Sequence, residues 1–289
     1  MTARVLFGGR GRAKAAGVAV LWLLLFALIG LAVTVGLATV VPGIGGRQWE
    51  IARQGAYEVA GFLTATLVVG RLLNGRSWEW MGWRAAGAPR RMARGAGLGA
   101  LMAAPAVGLA WMLNRAGLSV APEWAQWLGA ALPLGVGLCL AALGEELMFR
   151  GYALRRLAES VGPVAALVVL SAVFAVAHAA NPDVAGFALV NVFLAGVWLS
   201  FAFFSPGGMP LCWGLHFGWN AGLSLVFDAP VSGFPFRMPA VQYVPGRHPW
   251  VDGGPFGPEG GIVATIVLML GTAAVLGPRL RRPREWLAA

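Results

Sequence analysis

Charge is what this chain has least of. Asp, Glu, Lys and Arg make up 12% of its 289 residues, about half the share typical of soluble domains. With 58% hydrophobic residues and a mean hydropathy of +0.71, that scarcity excludes a soluble globular protein and predicts a polytopic membrane protein. Cysteine is nearly absent too. Cys139 and Cys212 each stand in an apolar run, which excludes a disulfide framework and a thiolate metal site. Acidic residues are few, 12 against 22 basic ones, for a net charge of +10. A basic surplus invites a nucleic-acid reading, but no aromatic-interleaved basic domain exists to carry one, so no nucleic acid is expected as a partner. In a membrane protein the surplus belongs to cytoplasmic loops. An internal repeat is also lacking, which argues against an inverted-repeat transporter.

What the chain does have is apolar runs. Eight can be drawn, over 17–41, 55–74, 95–113, 126–148, 162–180, 184–204, 210–228 and 260–277, each near the length that crosses about 30 Å of hydrocarbon. The first is too long for a signal-peptide core and lacks a small-x-small exit, so it reads as a retained span. Thirteen Trp suit interfacial belts. Basic residues cluster on alternate connections: Arg4, Arg10, Arg12 and Lys14; Arg76, Arg84, Arg90, Arg91 and Arg94; Arg150, Arg155 and Arg156; Arg279, Arg281, Arg282 and Arg284. Arg47, Arg53, Arg115, Arg237 and Arg247 fall on the other side. Both termini are therefore predicted cytoplasmic. The expected fold is all-α: one integral membrane domain over 1–289, a bundle of about eight transmembrane helices, with core helices in 126–228 and an extramembrane loop over 229–259. That loop is rich in Pro and Gly and carries Phe234, Phe236, Tyr243 and Trp250. It reads as a surface loop or as a cap over a substrate entrance.

Polar groups interrupt three of the apolar runs. Glu145 and Glu146 are adjacent, with Arg150 following. A carboxylate within a membrane helix costs about 2.5–3.5 kcal/mol on insertion scales, so such residues mark chemistry or a structural ion pair. Neighbours on a helix point about 100° apart, so the two carboxylates cannot share one job. Arg150 stands four residues after Glu146 and can pair with it, leaving Glu145 facing elsewhere. The second group is Phe174-x-x-x-His178. The third is His216-x-x-x-Asn220, whose spacing puts imidazole and carboxamide on one helical face. Each has a bland account: a boundary ion pair, a His bonded to a backbone carbonyl, an Asn bonded to a neighbouring helix. His248, in the loop, is assigned no role.

Spacing ties the groups together. Glu145 and His178 flank the turn signal at Ser160–Pro163 almost symmetrically, each about 24 Å from it along a helix. They then meet at one depth on antiparallel helices, provided the fourth helix continues past Arg150 as an amphipathic extension over 152–159. With His216 and Asn220, the expected site lies part-way into the cytoplasmic half. Span five then has few apolar residues beyond His178, a tension that tilt, a kink at Asn181-Pro182 or thinning would relieve.

In this order and on three core helices, Glu145-Glu-x-x-x-Arg150, Phe174-x-x-x-His178 and His216-x-x-x-Asn220 resemble the CPBP family of intramembrane proteases, which includes type II CAAX prenyl proteases and bacterial Abi proteins. The resemblance covers roughly residues 130–225 and shows no departure at the motif positions. It implies that Glu145 is the base activating water, that His178 helps hold the water, and that His216 and Asn220 form an oxyanion hole. It gives Glu146, Arg150 and Phe174 supporting places. Buried glutamate chemistry and Asn or His donors suit amide hydrolysis independently. No Ser-His-Asp or Cys-His set is evident. Zinc is an open candidate cofactor, with Glu145, His178 and His216 as its ligands if present, although the HExxH signature is absent. The expected partners are the lipid bilayer and a peptide or protein substrate at the membrane, and the expected location is a bacterial inner membrane. Two other readings stand beside the peptidase: a transporter using Glu145, Glu146, His178 and His216 as an ion path, and a non-catalytic scaffold or immunity protein.

Overall fold

Apolar runs in a bilayer become helices because hydrocarbon offers backbone N–H and C=O groups no partner but each other. The computed structural model describes residues 9–41, 49–121 and 123–280. In chain order the helices are α1 (Gly9–Val40), α2 (Glu50–Ala65) running on into π-helical turns over Thr66–Leu73, α3 (Ala88–Asn114), α4 (Trp124–Phe149), α5 (Gly151–Val161), α6 (Pro163–Ala177), α7 (Gly186–Phe203), α8 (Gly208–Ala221) with π-helical turns over Gly222–Val226, the single turn α9 (Pro249–Asp252) and α10 (Ile262–Leu280). The protein is an all-α polytopic bundle, and every apolar segment drawn from the sequence falls on one of these helices. They are not equivalent. Among the described residues five stretches are long and apolar enough to cross a membrane: Ala15–Val40, Glu50–Leu73, Ala88–Asn114, Trp124–Val161 and Gly186–Phe203. Pro163–Ala177 and Ile262–Leu276 are apolar but shorter. The terminal basic residues used for orientation (Arg4, Arg10, Arg12, Lys14, Arg279, Arg281, Arg282 and Arg284), with Arg47, lie outside the residues whose side chains are described.

The fourth helix does continue past Arg150, but with a kink. Arg150 adopts φ −106° and ψ −92°, while its N–H still donates to the Glu146 carbonyl at 3.0 Å and its carbonyl accepts from Leu154 at 2.8 Å. Beyond the kink, α5 buries Tyr152, Ala153, Leu154 and Leu157, and Glu159 pairs with Arg76 and Arg156 at 2.8 and 3.2 Å. Gly162, at φ +92°, and Pro163 at the first helical position then reverse the chain into α6.

Sequence and structure part at the end of α6. The expected span over 162–180 stops at Ala177, and His178 sits in the bridge region at φ −90°, ψ 0°. Fifteen residues reach about 22 Å, short of a bilayer core of about 30 Å. The chain turns at 178–185 and starts α7.

Small residues set the orientation of α8. Gly214, Gly218 and Gly222 recur every four residues and face α3, where Gly95, Gly99 and Ala103 recur in the same way. A Cβ at Gly218 would strike the Ala96 carbonyl, and one at Gly99 the Leu215 carbonyl. Backbones pack this closely in membranes when van der Waals contact has to replace the hydrophobic effect. With those glycines turned to α3, positions 216 and 220 fall on the opposite face, towards α4.

The loop between α8 and α10 is built rather than loose. One short sheet departs from the all-helical expectation: β1 (Gly117–Val120) pairs antiparallel with β2 (Val241–Val244), with Gly117 opposite Val244. Asp252 accepts from the Tyr243 hydroxyl and from the N–H groups of Gly246 and Gly254. Burial and that carboxylate push the Tyr243 phenol well above its ordinary range, so it stays a donor. Asn114 bonds both backbone groups of His248, which is a structural use of that position.

Candidate active site

Two adjacent glutamates on α4 meet different surroundings. Glu146 is fully buried. Its Oε1 accepts from Arg150 Nη1 at 3.1 Å and from His216 Nδ1 at 2.8 Å, and its Oε2 accepts from Cys212 Sγ at 2.8 Å. Arg150 is buried as well, with its guanidinium 4.6 Å over the Phe174 ring. Glu145, one residue earlier, keeps 26% of its side chain exposed. Its Oε2 is buried and has no hydrogen-bond partner among the described residues.

That oxygen faces two imidazoles. It lies 3.9 Å from His178 Nε2 and 3.8 Å from His216 Nε2. The opposite nitrogen of each ring is already engaged. His178 Nδ1 lies 2.8 Å from the Phe174 carbonyl, which only accepts, so this nitrogen carries the hydrogen. His216 Nδ1 faces the Glu146 carboxylate, also an acceptor. Both neutral rings therefore turn a lone pair at Nε2 towards Glu145. Three acceptor atoms converge with no donor between them, an arrangement in which a water molecule can give its two hydrogens to two of the three.

The residues are brought together by unrelated elements. The kink at Arg150 lets α5 and Gly162 turn the chain back, so the end of α6 returns to the depth of Glu145. Phe174 packs edge-on against Phe149 at 5.1 Å and stacks with His178 at 4.5 Å. The glycine face of α8 aims His216 and Asn220 at α4. Asn220 lines the same cleft of about 410 Å³ as Glu145, His178 and His216.

The cleft is walled by more than the motif residues. Its walls include Ile51 and Gln54 at the start of α2, Asn181 beyond α6, and Val231, Ser232, Phe234 and Phe236 of the loop. It opens at the end of the bundle where those segments meet, not in the half that carries Arg84, Arg94 and Arg155. Because α6 ends at the site, His178 belongs to the loop side. Val231, Ser232, Phe234, Phe236 and Glu259 of the loop contribute to its lining.

Three contributors escaped the sequence reading. Cys212 is a donor to Glu146. Glu259 ties the loop down: Trp219 Nε1 donates to it at 2.7 Å, and Ser232 donates to its other oxygen. Glu58 on α2 lines the cleft beside Glu145. Gly144 carries a signal for it, because a Cβ there would meet the Glu58 side chain at 2.7 Å. The cleft thus holds Glu58, Glu145 and Glu259 and no Lys or Arg.

The zinc set of Glu145, His178 and His216 is not gathered as a metal cluster. Among the described residues no group of three or more His, Cys, Asp or Glu is spaced to hold an ion.

Residues 126–222 match the family described as type II CAAX prenyl endopeptidase Rce1-like. Over this segment the chain is similar to that family. The match covers a third of the chain and contains all three motifs. No curated protein and no solved structure matches the chain. The chain is a membrane protein, and α1–α3, the loop and α10 lie outside the matched segment.

Proposed function

We propose that the protein is an intramembrane endopeptidase that hydrolyses a peptide bond of a membrane-associated peptide or protein with water activated by Glu145. The observation that carries this reading is the unpartnered Glu145 Oε2 facing the Nε2 atoms of His178 and His216. A water held there donates to Glu145 and His178. As its oxygen attacks the scissile carbonyl, one proton passes to Glu145. The carbonyl oxygen becomes an oxyanion, which the Asn220 carboxamide stabilises by donating N–H. His216 adds a second donor when its Nε2 carries a proton, a cation that Glu146 at Nδ1 supports. Collapse of the tetrahedral intermediate breaks the C–N bond, and Glu145 returns its proton to the leaving amine. Preorganised donors of this kind are worth about 10²–10³ in rate each.

Glu146, Arg150 and Cys212 are positioning residues. They touch no substrate, but fix the His216 tautomer and the rotamer of its ring. The acidic, lysine- and arginine-free lining favours a substrate segment with a basic residue near the cleaved bond. On this reading the substrate enters from the loop side, where Val231, Ser232, Phe234 and Phe236 line the cleft. The cell membrane is the expected location.

The test is hydrolysis of a library of quenched fluorescent peptides by purified protein in detergent, compared with Glu145→Gln. Cleavage by the natural sequence and none by the variant, at equal thermal stability, supports the reading. Cleavage that survives Glu145→Gln overturns it. Chelators leave the rate unchanged if water and Glu145 suffice.

A further inference from the structure

A second cavity lies at the opposite end of the bundle, independent of the peptidase reading. It is a groove of about 1070 Å³ between α3, α8 and α10, closed at one end by residues 204–207 and floored by Trp198, Leu211 and Leu215. Its lining includes Arg84, Arg91, Arg94 and Arg155 and no acidic residue.

Helical periodicity on α3 builds the gradient. Positions 91, 94, 98, 101, 105 and 109 follow one another at three or four residues along one face. They read Arg, Arg, Leu, Leu, Pro, Leu, so one stripe changes from cationic to apolar as it enters the membrane. The glycine face of the same helix is turned to α8, which leaves this stripe open. Leu101 is 68% exposed, and Leu270 on the facing wall 66%. From Arg94 to Leu109 the stripe runs about 22 Å, deeper than one leaflet of a core about 30 Å thick.

The basic end is assembled from separate segments. The Arg91 guanidinium donates to the Ala86 and Arg84 carbonyls and so shapes the turn that carries Arg84 to the mouth. Arg155, on α5, lies over the rings of Phe203 and Phe204 at 5.6 and 5.4 Å. Arg84 and Arg155 are near enough to repel one another, with Glu159 as the nearby counter-charge. An anion at the mouth would face Arg84, Arg91 and Arg94 together, and an apolar chain would fill the stripe below it.

We propose that this groove is a binding site for an anionic membrane phospholipid, with its phosphate among Arg84, Arg94 and Arg155 and an acyl chain against Leu98, Leu101 and Leu270. Bulk lipid would coat the apolar stripe in any case. The arginine cluster makes the site selective for headgroup charge, and the floor at Trp198 makes it finite in size.

The test is native mass spectrometry of the full-length, delipidated protein titrated with phosphatidylglycerol, with phosphatidylcholine of the same chains, and with inorganic phosphate. Phosphatidylglycerol is expected to bind at one preferred site and phosphatidylcholine only weakly. Arg84→Gln with Arg94→Gln should weaken phosphatidylglycerol by about thirtyfold, from the worth of a basic residue at an anionic surface. Ala274→Trp, which fills the apolar wall and leaves the arginines in place, should weaken it too. Equal binding of the two lipids overturns the proposal, as does binding that survives the arginine substitutions. Phosphate binding as tightly as the lipid also overturns it, because the apolar stripe would then contribute nothing. Thermal midpoints of the lipid-free variants keep a misfolded protein from passing as a loss of binding.

Discussion

The two cavities of this protein share a wall and oppose each other in charge. Among the described residues, the cleft at the loop end carries Glu58, Glu145 and Glu259 and no Lys or Arg, while the groove at the other end carries four arginines and no acid. Trp198 lines both. The difference lies less in sign than in how charge is held. In the cleft's supporting layer Arg150 is fully buried and tied to Glu146, whereas Arg84 and Arg94 in the groove are exposed. A buried charge needs its partner at all times. An exposed one can wait for a ligand.

That contrast can be broken in a graded series. Glu145→Gln should have the largest effect, a fall of about 10²–10⁴ in hydrolysis, the usual worth of a positioned acid–base group. Phosphatidylglycerol binding should be untouched, and loss of both together would mean that the cavities are not separate. Arg150→Met should come next. It strands the Glu146 carboxylate and should cost about 3–5 kcal/mol of stability, read as a lower thermal midpoint. Arg84→Gln, in the absence of lipid, should cost less than about 0.5 kcal/mol as a surface change. Glu58→Gln should then discriminate among substrates. Peptides with Lys near the cleaved bond should lose about fivefold in kcat/KM, on the scale of a partly solvated ion pair of about 1 kcal/mol, and norleucine analogues should not change.

A further prediction concerns pH. Asp228, outside the spans, accepts the Met238 N–H at 2.7 Å, and burial raises its carboxyl to about 6. Met238 packs on Leu134 and Leu138 near the cleft. A raised folded-state value favours the protonated form. Its stabilising contribution is therefore complete below about pH 4 and fades as pH rises through about 6. Asp228→Asn should flatten the thermal midpoint over that range by the equivalent of about 1 kcal/mol, after allowance for solvent screening. An unchanged pH slope would place the titration elsewhere.

The sequence showed the motif residues because each is polar in an apolar helix and spaced at helical intervals. Splitting Glu145 from Glu146 needed only the 100° between neighbours and the position of Arg150. Glu58 and Cys212 were not legible. Glu58 stands in the first turn of the apolar run drawn over 55–74, where an acid reads as a boundary residue, and Cys212 looks apolar until Glu146 is placed beside it. Glu259 lies 114 residues from Glu145 in the chain, and its place depends on how the loop folds back. The strands Gly117–Val120 and Val241–Val244 were missed because four residues each are too few to stand out as a strand signal. The end of α6 was misread because the spacing argument treated it as a full crossing, whereas it stops at Ala177.

The early end of α6 has a consequence for the reactants. A hydrolase sealed in hydrocarbon would need a conduit for its second substrate. Here one helix stops at the level of Glu145, and polar backbone from 178–185 and 229–236 fills the space above it. The reacting molecule that this design has to supply is the most abundant one outside the membrane, and the missing turns of helix leave it a direct way in.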